Sequence, residues 1–221
     1  IWQRVADGAF MASRTYQPPP PQVNDENYLV QVASPTLVQL CRKVDWPSIL
    51  AVPRLDHMAV IETNSPRSYF SHIPLGPIGF RVNMLRSATG RAYLAFCSET
   101  ERQSVLQRLA ASNEPGNYLA RRPEQIKQLL EETRQLGYGL RTPDFGGHYD
   151  KTRREFDDGR DSVAVPIWAG KEVVAIVNLT WIHKIAKKED IIKKLLPELR
   201  QAAQTISWNL MSPLRESALN P

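Results

Sequence analysis

No run of apolar residues in this 221-residue chain approaches the length of a membrane span, so no membrane partner is expected. Cysteine is scarce: Cys41 and Cys97 are the two in the chain. Each sits in an apolar helical pattern, Leu40-Cys41 and Phe96-Cys97, which points to buried free thiols in a reducing cytoplasm and not to a disulfide. No signal peptide or internal repeat is visible in the sequence, and a start at Ile1 without methionine suggests a fragment or a disordered beginning. Excess charge is also slight, 28 Lys and Arg against 23 Asp and Glu for a net +5. That permits an acidic ligand without arguing for nucleic acid.

Missing motifs narrow the chemistry. There is no Cys-x-x-Cys and no histidine pair at helical spacing. His148 and Asp150 form the best local ligand pair, with His57, His72 and His183 elsewhere, but a surface-loop histidine is the plainer reading, and neither metal nor another cofactor is expected. No G-x-S-x-G elbow is present. Ser87 follows an arginine, and Ser162 lies between Asp161 and Val163 with no histidine nearby in sequence. An enzyme is therefore not expected; the alternative is a small hydrolase or lyase using Ser162 or His148. "ATGRA" lacks the second glycine, lysine and hydroxyl of a phosphate loop. "LLEETRQLGYGLR" looks like the end of a winged helix, yet no recognition helix precedes it. The lysines at 184, 187, 188, 193 and 194 are interrupted by Glu189 and Asp190 without interleaved aromatics, as on a solvated helix face.

What is present is an ordered set of elements. Residues 1–16 carry Val5, Ala9 and Ala12 at the spacing of a short helix. The prolines of Gln17–Asp25 favour an extended linker over helix or sheet. "SPTLVQLCRKV" offers Ser34 as an N-cap and Pro35 at the first helical position. Ser48–Val52 and Met58–Glu62 read as a hairpin around Pro53–His57, and Tyr69–Ile73 as a third strand. "RSATGRAYLAF" begins a helix with small residues that serve either close backbone packing or a small-anion pocket. Ser98 and Glu101 form a capping box for the next helix. "PEQIKQLLEETRQL" buries Ile126, Leu129, Leu130 and Thr133 and stops at Gly137. The turn-rich stretch Leu140–Arg160 is a long loop of the kind that forms lids. "DSVAVPIWAGKEVVAIVNLTW" is a hairpin, and an amphipathic helix closes the chain, with Pro197 expected to kink or restart it. This order predicts an α+β fold, helices packed on a mostly antiparallel sheet.

Taken together, "RSATGRAYLAFCSETER", "LLEETRQLGYGLR", "DSVAVPIWAGKEVVAIVNLTW" and "LLPELRQAAQTIS" resemble the effector-binding domain of IclR-type bacterial transcriptional regulators over roughly residues 28–211. Within them, the likeness is to activators of aromatic-acid breakdown of the hydroxyphenylpropionate type. The resemblance implies a GAF-like domain at 28–221, with 1–27 as the end of an interdomain linker. It further implies a small aromatic or aliphatic carboxylate effector, a homodimer or tetramer, and DNA contacts through an N-terminal winged helix-turn-helix domain absent from this chain. By resemblance the effector would meet Ser87, Ala88 and Thr89 at the helix start. Ser162 stands where the family often has cysteine, and Asn178 and Thr180 where it often has serines. The family's acidic loop residue falls on Asp150 or Asp161. Alternation along a strand puts Asn178 and Thr180 on one face.

Overall fold

A computed structural model describes residues 2–4, 10–11, 25–65, 76–185 and 187–219. Two short strands, β1 (Trp2–Gln3) and β2 (Phe10–Met11), pair antiparallel where the spacing suggested a helix. Gly8 disfavours that helix, and one so short is marginal without tertiary support. Residues 17–24 of the proline-rich stretch and the expected strand Tyr69–Ile73 lie outside the described residues.

Helix α1 (Glu26–Val44) starts eight residues before the expected cap at Ser34. Asp25 is its N-cap, accepting the Asn27 N–H at 3.0 Å. The apolar face already begins at Leu29 and Val30, and burying it outweighs the breaker at Pro35. Pro35 sits on the exposed side, so the helix carbonyl it leaves without a donor can be hydrated. The same logic holds at Pro197, which is exposed within α5 (Lys188–Leu219); that helix runs on through the proline and does not restart.

The main sheet is wholly antiparallel, in the order β5-β4-β3-β8-β7-β6. The expected hairpin is β3 (Ser48–Pro53) with β4 (His57–Asn64), and β5 (Arg81–Asn83) extends it at one edge. The second hairpin is β7 (Arg160–Ala169) with β8 (Glu172–Ile182), and β6 (Gly139–Leu140) covers only the Val163–Ala164 part of β7. Beyond it the β7 edge is blunted. Pro166 carries no N–H, and the Trp168 N–H is taken by Ser207 Oγ at 2.9 Å, which discourages strand addition.

Helices cover both faces. Leu50, Val163, Val165, Val177 and Trp181 face α1 and α5, against Leu37, Leu195 and Ile206. Ala51, Val60, Ala164 and Ile176 face α2 (Ala88–Phe96) and α4 (Pro123–Leu136), against Ala92, Leu94 and Ile126. Between α2 and α4 run α3 (Glu99–Ala111), capped by Ser98 through the Glu101 N–H, and a 3-10 turn, Pro115–Arg121. α4 buries the four residues expected of it and ends at Gly137, in the left-handed conformation at φ 74°. Among the described residues no helix is long and apolar enough to cross a membrane.

Candidate functional site

The start of α2 is held by one asparagine that its sequence context does not flag. Asn83, fully buried at the end of β5, accepts the N–H groups of Leu85 and Arg86, each at 2.9 Å. Its amide donates to Asn117 Oδ1 at 3.0 Å, and its backbone carbonyl accepts the Ser87 hydroxyl at 2.7 Å. Ser87 Oγ in turn accepts the Gly90 N–H at 2.9 Å, capping α2. The small residues of this helix have a definite use. A Cβ on Gly90 would lie 2.3 Å from Met84 Cα, and one on Gly139 would lie 2.2 Å from the Ala88 carbonyl oxygen. Backbone therefore approaches backbone on both sides of α2.

Close packing leaves the helix end itself unspent. Ser87, Ala88 and Thr89 are all buried, and among the described residues no acceptor meets the N–H groups of Ala88 or Thr89. These are two of the orphan donors at a positive dipole end, suited to an anion.

The strands bring three of the sequence-identified residues to the face that α2 covers. Ser162 lies directly across from Thr180, and Asn178 across from Ala164, all buried. Two contacts join this patch to the helix start. The Thr142 N–H and hydroxyl both donate to the Arg86 carbonyl, at 2.9 and 3.0 Å, and the adjacent Arg141 N–H donates to the Ser162 carbonyl at 3.3 Å.

Asn178 also has work inside the sheet. Its Oδ1 accepts the Ile49 N–H at 2.9 Å, next to the irregularity where β3 slips against β4, while its Nδ2 is 3.4 Å from Thr180 Oγ1. Asn178→Ala would strand a buried donor, a loss of about 1–3 kcal/mol. We expect a lowered urea midpoint for this variant even without ligand.

Asp161 does not join the group. Alternation turns it to the α1 and α5 face, opposite Trp181, where its carboxylate is 3.6 Å from Lys188 Nζ. Asp150, the other candidate, offers its backbone carbonyl to the Arg86 guanidinium at 2.7 Å and its carboxylate to Lys151. His148 is exposed, with its ring edge-on to Phe156. Among the described residues no group of three or more His, Cys, Asp or Glu side chains is placed to hold a metal ion.

The loop from Arg141 to Gly159 folds over the α2 start. Arg141 and Asp158 form a buried two-pronged pair at 2.9 and 2.7 Å, and Arg141 also donates to the Phe145 carbonyl. The Phe145 ring receives the guanidinium groups of Arg86 at 5.3 Å and Arg141 at 4.9 Å. Tyr149 reaches the Asp56 carbonyl, and burial pushes its phenol up to about 12. Sequence reasoning misses Asn83, Arg86 and Arg141, because besides its near neighbours each engages a group well away in sequence: Asn117, Asp150 and Asp158.

Both cysteines are buried free thiols. Burial pushes the Cys97 thiol up to about 11, so it is not a nucleophile at neutral pH.

Residues 22–208 match the family described as bacterial transcriptional regulator IclR, C-terminal. The chain belongs to this family. Thermotoga maritima IclR superposes with a TM-score of 0.65 at 22% identity, covering 82% of this chain and 68% of that one. An IclR homologue from Microbacterium hydrocarbonoxydans, solved in complex with 4-hydroxybenzoate, gives 0.63 at 22% identity over 85% and 70%. The IclR C-terminal architecture, a GAF-like α+β fold, is thus the one observed.

Proposed function

We propose that this IclR-family domain binds a small aromatic carboxylate between the start of α2 and the β7–β8 face. Binding would regulate DNA contacts made by a winged helix-turn-helix domain beyond residues 1–27, which serve as linker to the effector domain at 28–221. The observation that carries this reading is the pair of uncommitted N–H groups at Ala88 and Thr89, tethered through Arg86, Thr142 and Arg141 to the strand holding Ser162. A carboxylate fits the helix end, and Ser162 and Thr180 supply hydroxyls for a ring substituent. The Microbacterium hydrocarbonoxydans relative was solved with 4-hydroxybenzoate, a ligand of this chemistry. Control of aromatic catabolism, a homodimer or tetramer, and a cytoplasmic setting belong to the same proposal.

Thermal unfolding with 4-hydroxybenzoate or 3-phenylpropionate tests it. A ligand at a hundredfold excess over its Kd stabilises by about 2.7 kcal/mol, roughly 5–10 °C for a domain of this size. Thr89→Pro removes a donor in the first helical turn, where proline is tolerated, and should abolish most of the shift. Thr180→Val should weaken binding by about two- to tenfold. An equal shift in wild type and both variants would place the ligand elsewhere.

A further inference from the structure

Helices α3 and α4, with the 3-10 turn between them, enclose a separate cleft of about 450 Å³. That lies within the roughly 300–1,000 Å³ typical of small-molecule sites. Leu106, Ala110, Ala120, Ile126 and Leu130 give it an apolar lining. Three cations also line it, and they differ in how far they are committed. Arg102 is buried and fully engaged, donating to the carbonyls of Leu94, Ala95 and Cys97 and to Glu99. Its partner Glu99 is thereby neutralised within the same cleft. Among the described residues Arg134 uses only its Nε, on the Ala95 carbonyl at 2.9 Å. Lys127 is exposed and has no ion pair among the described residues. Lys127 and Arg134 stand two turns apart on α4, with Leu130 between them on the same cleft wall.

An apolar trough whose uncommitted charge is wholly positive selects for a particular ligand. A neutral apolar molecule would crowd two cations without pairing them, and a fully polar anion would leave the trough wet. We propose that this cleft is a second binding site, taking an amphiphilic carboxylate. Its acyl or aryl part lies on Leu106, Ala110, Ile126 and Leu130, and its carboxylate lies on the free guanidinium nitrogens of Arg134 and on Lys127 Nζ.

The test is calorimetric titration of the 221-residue chain with octanoate, with octanamide as the uncharged counterpart. One saturable site is expected, with octanamide weaker by about three- to tenfold. Lys127→Gln, on an exposed side chain, and Arg134→Gln should each reduce octanoate affinity by a similar factor, and added salt should weaken it further. Gln107→Trp, at the cleft rim, should block it, with circular dichroism confirming the fold. Absence of saturable binding, equal affinity for octanamide, or indifference to both cation variants would overturn the proposal. So would loss of octanoate binding in Thr89→Pro with both cation variants silent, because the carboxylate would then lie on the start of α2 in the effector pocket. Failure of the effector reading is seen separately, in the response to 4-hydroxybenzoate.

Discussion

Replacing Gly90 with alanine should destabilise the domain by about 2 kcal/mol or more, against the usual sign for that change in a helix. Glycine to alanine inside a helix ordinarily gains about 1 kcal/mol, because alanine restricts the unfolded chain and favours helix. Here the new methyl would lie 2.3 Å from Met84 Cα and 2.4 Å from its carbonyl oxygen. Both are backbone atoms, and Met84 cannot swing aside, since Asn83 fixes the next two residues by side-chain hydrogen bonds. Either α2 moves outward or the β5–α2 turn opens, and both break buried packing. Gly139→Ala should behave alike, its methyl meeting the Ala88 carbonyl oxygen at 2.2 Å and the Ala92 nitrogen at 2.7 Å. Urea unfolding checks both. A raised midpoint for Gly90→Ala would mean that α2 is not pressed against the turn.

The second large effect lies in the loop. Asp158→Asn keeps the shape of the side chain but removes the charge facing Arg141, whose side chain is only 6% exposed, as Asp158's is 10%. Removing one partner from a buried pair typically costs about 3–5 kcal/mol, most of it from the charge left behind. Thr142, which ties the loop to Arg86, follows Arg141 in the chain, so the damage should spread to the α2 start. Accelerated tryptic cleavage after Lys151, Arg153 or Arg154 is expected along with the stability loss. Replacing both partners, as in Arg141→Met with Asp158→Leu, should recover most of the stability, since neither buried charge remains. Unchanged stability and cleavage in Asp158→Asn would mean that the pair does not hold the loop.

Much of the architecture was legible because its causes are local. Ser98 reads as a cap because a hydroxyl one residue before a helix reaches its free N–H groups. Gly137 reads as a stop because glycine, lacking a Cβ, takes the left-handed turn without strain. The period of Ile126, Leu129, Leu130 and Thr133 predicted the buried face of α4, and the β-branched runs around Gly170 predicted the β7–β8 hairpin. The same local rules erred at Pro35, which lies inside α1 and not at its start, and no restart occurs at Pro197. Both prolines lie on exposed helix surface, where burial of the opposite face decides the outcome. Alternation put Asn178 and Thr180 on one face, and it equally separates Asp161 from Ser162.

By itself, then, the sequence determined the two long hairpins, most of the helices, the cap at Ser98, the stop at Gly137 and the faces these elements bury, because each depends on neighbours within a turn or a strand. The tertiary structure alone decided which distant groups meet. Asn178 satisfies Ile49 across 129 residues, Arg86 holds Asp150 across 64, and Arg134 reaches Ala95 across 39. Such contacts leave no periodicity in the chain, since any of its 28 Lys and Arg residues could be drawn to a free carbonyl. Only the packing of α2 against the sheet and of the loop against α2 brings these particular groups together, and it leaves two N–H groups at the start of α2 without a partner among the described residues.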